Sequence, residues 1–566
     1  MVGSQWDHEI DVLVMGSGAG GMAAALTAAH AGLAVMVVEK TEYFGGSTAV
    51  SGGAVWIPEN PLMASVGHSD SRASVWRYLE QTLGNRLRRD MVEAYLDAGP
   101  RMVSFMAANT AVKLVPRAYS PDYEPELEGA SLGGRTLDPA PFDGRELGRR
   151  FASVRAPLHT FVALGGMMVD RKDIANLLSA HRSAKSFTAA AKLIGRYLSD
   201  RLRYPRGTRL ILGNALAARL LKSALDRGID LRLRTSISEL IVENERVVGA
   251  VIEASGQKQR VRARKAVVLA GGGAPQNPQW RAEHVAFAGQ HTSMSPPGNV
   301  GDGIRLGISA GGIMESEAAE PAFLTPVSIL KKKDGSTTVF PHLVLDRQKP
   351  GVIAVNSSGR RFVNEATSYH SFVEGMYQAH QSVPSIPCYL VCDAAFVRTY
   401  GLGLARPGPY LHGPLIRAGY LIEAQSPAEL AKAIGVDAAA LAETVTNHNR
   451  YAQTGVDPEF GKGSSEYNRY LGDPDHKPNP CLGPIVKPPF YAVRIWPGDI
   501  GSALGLKTDT HARVVREDGE PIAGLYACGN DMRSIMAGNY PAAGITLGPA
   551  LTFGYIAGCD IAGRAP

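Results

Sequence analysis

Apolar positions come in short unbroken runs near both ends of the chain. Residues 11–15 (DVLVM) form a buried-strand pattern. Gly16-Ser17-Gly18-Ala19-Gly20-Gly21 follows, then an Ala-rich stretch to His30 with Gly32 just beyond it. That order predicts a tight turn, a helix and a glycine stop. Residues 33–38 (LAVMVV) are a second apolar run, and Glu39 closes it. Further along, 237–252 predict a β-hairpin turning at 243–246, and 265–270 a buried strand that ends in Gly271-Gly272-Gly273. Residues 524–527 read as a late strand running into Cys528-Gly529-Asn530. After Asn539-Tyr540-Pro541-Ala542-Ala543-Gly544 a helix is predicted over 546–562.

The first of these patterns is a βαβ unit with GxGxxG at the opening of its helix and an acid ending its second strand. Gly16 suits the tight turn. Gly18, without a Cβ, lets a pyrophosphate approach the backbone, and Gly21 allows close helix–strand packing. The helix N-terminus offers free N–H groups to phosphates. Glu39 can accept hydrogen bonds from ribose hydroxyls. The stretch 12–38 has no Asp, Glu, Lys or Arg, but its glycines and the βαβ order argue against a membrane span.

A second small-residue loop follows at once: Gly45, Gly46, Ser47, Ser51, Gly52 and Gly53, interleaved with apolar Val50, Ala54, Val55 and Trp56. Bare backbone and hydroxyls there suit a flat flavin and its ribityl phosphate, so the dinucleotide is read as FAD. The expected cofactor contacts are Gly16, Gly18, Gly21, Glu39, Lys40, Gly46, Ser47, Ser51, Gly53, Ala270, Gly271, Gly529, Asn530, Thr546 and Leu547. No metal site is read.

Length and composition add bounds. At 566 residues the chain needs more than one core. The expected fold is α/β, with a Rossmann-type FAD-binding domain built from both chain ends and an inserted α+β catalytic (cap) domain. The expected bounds are 1–284 for the first FAD part, 285–485 for the cap and 486–566 for the second FAD part. A net charge of +6, without a nucleic-acid motif, gives no reason to expect nucleic acid. Five scattered cysteines with no CxxC read as reduced thiols of a cytoplasmic protein. The polar first nine residues do not resemble a signal peptide.

Residues 182–209 are a separate feature. Arg182, Lys185, Lys192, Arg196, Arg201, Arg203, Arg206 and Arg209 stand against Asp200 alone. Phe187, Ala191, Ile194, Leu198 and Leu202 recur at helical spacing. Such a stretch is either a solvated surface helix or a peripheral contact with an anionic membrane.

The motifs together resemble the fumarate reductase/succinate dehydrogenase flavoprotein superfamily: 45–53, 265–273, Gly301-Asp302-Gly303 and Gly359-Arg360-Arg361-Phe362-Val363-Asn364-Glu365. Within it the chain resembles the 3-ketosteroid Δ1-dehydrogenase family. Four stretches carry this: Asp122-Tyr123-Glu124-Pro125-Glu126 with Gly133-Gly134-Arg135; Arg361 to Glu365 with Tyr369; Pro489-Phe490-Tyr491-Ala492 with Trp496-Pro497-Gly498; and Tyr540 to Gly544 with Leu547 to Phe553. The last, a tyrosine and a glycine four residues apart ahead of a helix, is the most specific.

The resemblance implies FAD-dependent 1,2-dehydrogenation of a 3-ketosteroid, with a proton taken from C2 by tyrosine and a hydride from C1 by flavin N5. Tyr540 and the Gly544 N–H would serve the C3 oxygen. Tyr369 would take the proton, and Tyr123 would support its phenolate. Tyr119 competes with Tyr123 for that supporting role. The implied partners are a steroid substrate and an external electron acceptor, a quinone among the candidates. Three alternatives stay open. A fumarate-reductase-type enzyme acting on another enone or carboxylate would need cations, yet 534–551 hold no Arg, Lys or His. A 3-oxo-5α-steroid 4-dehydrogenase is expected to carry a hydroxyl residue where Ala542 stands. A flavoprotein that binds without turnover would be expected to lack the tyrosines.

Overall fold

The computed structural model describes residues 6–181, 183–408 and 412–566. Strand β1 (His8–Met15), helix α1 (Ala19–His30) and strand β2 (Val35–Glu39) form the expected βαβ unit. β1 and β2 pair in parallel, with Val12 opposite Val35 and Met15 opposite Val38. Gly16 closes β1 with φ +96°, in the left-handed region. A Cβ there would lie 2.2 Å from the Ala270 carbonyl oxygen, so both conformation and space demand glycine.

The sheet grows on both sides of this unit. Its order is Asp230–Leu233, β2, β1, Gln257–Leu269, Arg246–Ala254, Pro521–Ala527 and Arg513–Val515. Strand Thr235–Glu243 pairs with Arg246–Ala254, so the hairpin turns at 243–246 as its sequence indicates. The predicted strand at 265–270 is the end of the longer Gln257–Leu269, which pairs in parallel with both β1 and Pro521–Ala527. The main sheet is therefore assembled from both chain ends.

Helix Leu547–Ile561 packs along α1. The contact depends on missing side chains: a Cβ on Gly554 would sit 2.3 Å from the Gly20 carbonyl oxygen, and one on Gly558 2.5 Å from Thr27 Cβ. Both helices are buried almost all round, which suits their lack of a charged face.

A second sheet has the order Thr337–Pro341, Ala322–Lys331, Phe490–Ser502, Cys388–Asp393 and Val352–Val355. Side chains alternate strictly between its faces. Val352, Ala354, Cys388 and Leu390 pack with Phe372, Val373 and Met376 of helix Tyr369–His380. Ile353, Val355, Tyr389 and Val391 pack with Leu430, Leu441 and Val445 on the other face. Phe490–Ser502 is the central strand of this sheet, between Ala322–Lys331 and Cys388–Asp393.

Within 182–209, Arg182 lies outside the described residues. The helix spans Ala184–Arg201, and its buried side chains are Ala190, Tyr197 and Asp200. The apolar stripe that starts at Phe187 faces outward.

Candidate active site

A cavity of about 750 Å³ runs from the βαβ motif to the junction of the two sheets. Gly16, Gly18, Glu39, Lys40, Gly46, Ser47, Ser51, Gly53, Ala270, Gly271, Gly529, Asn530, Thr546 and Leu547 all line it, as do Tyr123, Tyr369, Tyr540 and Gly544. Gly21 is the exception. It sits behind the wall, where a Cβ would lie 2.3 Å from the Gly16 carbonyl oxygen and 3.2 Å from Val14 Cγ1.

The donors and acceptors along the wall suit a dinucleotide. Gly18 caps the N-terminus of α1, which has no acid in its first turn. A Cβ on Gly18 would meet nothing closer than Thr48 Oγ1 at 3.8 Å, leaving open space over the helix N-terminus. Glu39 is buried at the end of β2 and accepts from Ser17 Oγ (2.7 Å) and Thr41 Oγ1 (2.9 Å), which fix its carboxylate. Short helix α2 (Gly46–Val50) starts from Gly45 at φ +108°. Ser51 Oγ donates to Thr48 O and accepts from Gly53 N, which holds the following turn. This cradle fits FAD: a pyrophosphate end at α1, a ribose acid at Glu39, and small residues beyond.

Three residues at or behind the wall make contacts that their local sequence does not assign. Asp531 is fully buried and accepts from Gly271 N (2.5 Å) and Gly273 N (2.8 Å). Burial pushes its carboxyl up, and these two N–H donors oppose that. Asn299 Nδ2 bridges Ser47 Oγ (2.9 Å) and Gly272 O (3.0 Å). Asp302 pairs with Lys40. Each lies over 200 residues from a partner, so only the folded chain shows them.

The tyrosines meet at the sheet junction. Tyr123 Oη lies 3.1 Å from Tyr369 Oη. The Tyr540 ring stands 5.1 Å from that of Tyr369, edge to face, and 5.6 Å from that of Tyr123, stacked. Tyr119 also lines the cavity, but it is 42% exposed and its hydroxyl is bonded to Glu466 at 2.5 Å. Tyr123 therefore has the contact with Tyr369, and Tyr119 does not.

Buried ion pairs hold two of the three tyrosines in place. Asp122 accepts from Trp56 Nε1 (3.0 Å) and Arg135 Nη1 (2.7 Å), and Arg135 also pairs with Asp70 (2.8 Å). Thus Asp122-Tyr123 and Gly133-Gly134-Arg135 are one structural unit, and Tyr123 N donates to Pro541 O (2.8 Å). Arg361 binds Glu365 and Asp457, each at 2.8 Å, ahead of the helix that begins at Tyr369. Burial works against the Glu365 carboxylate, but Arg361 and Lys462 outweigh it and hold it at about 2.

Both conformation and packing require glycine at 544. Its φ is +101°, and a Cβ would lie 2.6 Å from Trp56 N. The glycine is needed to pack against the backbone at 54–56.

Burial raises all three phenols. Tyr540 is pushed to about 12, eased by its hydrogen bonds to Tyr369 and Thr546. Burial also raises Tyr369 and Tyr123, and the hydrogen bond to Tyr369 and nearby Arg117 partly relieve Tyr123. At neutral pH the cluster is a set of neutral phenols at the cavity wall. It can donate hydrogen bonds to a carbonyl oxygen and pass a proton between hydroxyls.

Comparison with known proteins agrees with this geometry. Residues 11–547 match the FAD binding domain family. The chain is 37% identical to a 3-oxosteroid 1-dehydrogenase of Mycobacterium tuberculosis, covering 99% of each chain. The chain belongs to the 3-ketosteroid Δ1-dehydrogenase family. It is an FAD-dependent oxidoreductase. It is also 38% identical to a 4-oxocyclohex-2-ene-1-carboxylate 5-dehydrogenase of Sinomonas cyclohexanicum, over 98% of this chain and 93% of that one. The crystal structure of the 3-ketosteroid Δ1-dehydrogenase from Sterolibacterium denitrificans with 1,4-androstadiene-3,17-dione superposes with a TM-score of 0.90 at 40% identity, covering 98% and 100%. Among the described residues, no helix is long and apolar enough to cross a membrane.

Proposed function

We propose that the protein introduces the C1–C2 double bond into 3-ketosteroids. The observation that carries this is the Tyr123–Tyr369 hydroxyl contact at 3.1 Å, with Tyr540 against both rings, in the same cavity as the dinucleotide motif. Bound FAD supplies the acceptor for two electrons and the C1 hydrogen.

The chain's own residues manage the oxygen and the proton. Tyr540 Oη and Gly544 N–H donate to the C3 oxygen and stabilise the charge it gains when C2 loses its proton. One such donor is commonly worth roughly 100- to 1000-fold in rate. The raised pKa of Tyr540 suits this task, because only a neutral phenol donates. Tyr369 takes the C2 proton as phenolate. Burial makes that form costly, and the Tyr123 hydroxyl, 3.1 Å away, is placed to donate a hydrogen bond to the phenolate and offset part of the cost. Apolar wall residues, among them Phe161, Ile174, Leu343 and Leu345, suit a hydrocarbon skeleton. The electrons leave to an external acceptor, for which a quinone fits.

A second reading is a monocyclic keto acid as substrate, favoured by the Sinomonas relative. It needs a free cation for the carboxylate. Arg117 lines the cavity but is held by Asp138 through two bonds of 2.8 and 2.7 Å, whereas Lys172 and Arg155 line it too and keep this reading open to test. Arg533, just before the Tyr540 motif, is turned to Glu315 (2.7 Å) and Glu317 O (2.6 Å). Steady-state kcat/KM for androst-4-ene-3,17-dione and for 4-oxocyclohex-2-ene-1-carboxylate separates the two readings. A preference of at least tenfold for the steroid is expected, and a preference for the keto acid would replace the first reading with the second.

A further inference from the structure

Arg347 is fully buried, and its guanidinium makes no ion pair among the described residues. Burial pulls it down to about 10, opposed by the nearby Tyr467, Asp346 and Glu365. Its planar fork of N–H donors is given to backbone carbonyls instead. Nε donates to His342 O (2.7 Å) and Nη2 to Leu343 O (3.3 Å). Nη1 donates to Glu365 O (2.7 Å) and to Thr367 O (3.3 Å). The cation also lies 4.8 Å from the centre of the Phe372 ring.

These carbonyls belong to two different parts of the site. Pro341, Leu343, Val344 and Leu345 line the cavity. Residues 342–351 form no helix or strand, so no ladder fixes them and side chains must satisfy their carbonyls. His342 is clamped between Asp346 (2.6 Å) and Ser328 Oγ (2.7 Å), and Gln348 Nε2 donates to Leu343 O (3.0 Å). The other segment, 365–367, leads into Ser368, which caps the helix that starts at Tyr369. Phe372 lies on the first turn of that helix. One guanidinium therefore spans the apolar wall and the support of Tyr369. A lysine could not do this, because its three donors leave a single point and lack the rigid fork.

We propose that Arg347 is a positioning residue: a tie that sets Tyr369 in register with the wall on which the substrate's hydrocarbon skeleton rests. Arg347 does not itself line the cavity, so it acts through the two segments it joins. Proton removal from C2 needs the Tyr369 oxygen in one place relative to a seated substrate, and a misplacement of about 1 Å can cost about 100-fold in rate. This role rests on the reading of Tyr369 as the base for a ketosteroid.

The test is single-turnover flavin reduction by androst-4-ene-3,17-dione, followed by stopped flow over a range of steroid concentrations. FAD-loaded wild type is compared with Arg347→Lys, which keeps a cation and loses the fork. The limiting rate of the variant should fall about 20- to 100-fold, while its half-saturating steroid concentration and flavin-to-protein ratio stay within about threefold of wild type. A near-normal limiting rate shows that a point charge suffices and overturns the tie. Parallel losses of flavin, affinity and rate show general structural damage and overturn it as well. Native-state hydrogen exchange of the wild type reads the tie without any variant. The amides of 342–349 and 365–369 should open as one unit with one urea dependence. Two separate openings overturn the tie, even where Arg347→Lys does not fold. A wild-type flavin that the steroid leaves oxidised sinks the steroid reading, while the exchange result still decides whether the two segments are joined.

Discussion

Replacing Tyr123 with phenylalanine removes one oxygen from the heart of the site and leaves its ring contacts with Tyr369, Tyr467 and Tyr540 in place. The lost oxygen lies 3.1 Å from Tyr369 Oη. A hydrogen bond to a charged group is worth about 1.5–3 kcal/mol net. At about 1.4 kcal/mol per unit, losing it raises the pKa of Tyr369 by about one to two units. Tyr369 is already raised by burial, so its phenolate is scarce at neutral pH and kcat should climb toward alkaline pH. In Tyr123→Phe the climbing limb moves to higher pH by about one to two units, and kcat at a fixed pH on that limb falls about 10- to 100-fold. KM should change little, because the hydroxyl faces Tyr369. The assay is kcat against pH for wild type and variant, with flavin content checked by absorbance. An unmoved limb would refute the pairing, and a change confined to KM would place Tyr123 against substrate instead.

The other expectations concern neighbouring parts of the site. Tyr540→Phe should lower kcat roughly 100- to 1000-fold with FAD retained, as read by stopped-flow flavin reduction, and near-normal reduction removes Tyr540 from the oxygen-binding role. Gly544→Ala forces an L residue to φ +101° and sets a Cβ 2.6 Å from Trp56 N, so the loaded protein should lose roughly 1–3 kcal/mol and melt at lower temperature; an unchanged melt contradicts the packing argument. Asp531→Asn leaves one of the two glycine N–H donors facing an amide NH2, at a cost of about 1–3 kcal/mol, and should lower the flavin-to-protein ratio after dialysis. Burial raises Tyr78, Tyr95 and Tyr369 in the folded state, so above pH ~10 the unfolded chain sheds phenolic protons that the native chain keeps. Their contribution is full below pH ~10 and is lost as pH rises, so the urea midpoint should fall between pH 8 and pH 11, and an equal or higher midpoint would contradict the burial argument.

What the sequence revealed was mostly local. β1, α1 and β2 show themselves because strand, turn and helix signals lie within thirty residues and each has one conformational meaning. The hairpin turn at 243–246 is legible for the same reason. The central strand Phe490–Ser502 was not, because an apolar run does not state which sheet it joins; that depends on Ala322–Lys331 and Cys388–Asp393 far away. Asp531 and Asn299 resemble ordinary loop residues until the fold sets them on Gly271–Gly273 and Ser47. That Tyr123 and not Tyr119 contacts Tyr369 depends on the ion pair of Asp122 and Arg135, a contact between two motifs that the sequence displays separately. The stripe of Phe187, Leu198 and Leu202 has its periodicity in the sequence, but periodicity gives a face and not its direction.

The central claim is tested most directly by anaerobic titration of the FAD-loaded protein with androst-4-ene-3,17-dione, following flavin absorbance and identifying the product by mass and retention. One equivalent should bleach the flavin and yield androsta-1,4-diene-3,17-dione, while Tyr369→Phe stays yellow. A flavin that stays oxidised with this steroid, or a 5α-reduced steroid converted to the Δ4 ketone in its place, would contradict the account.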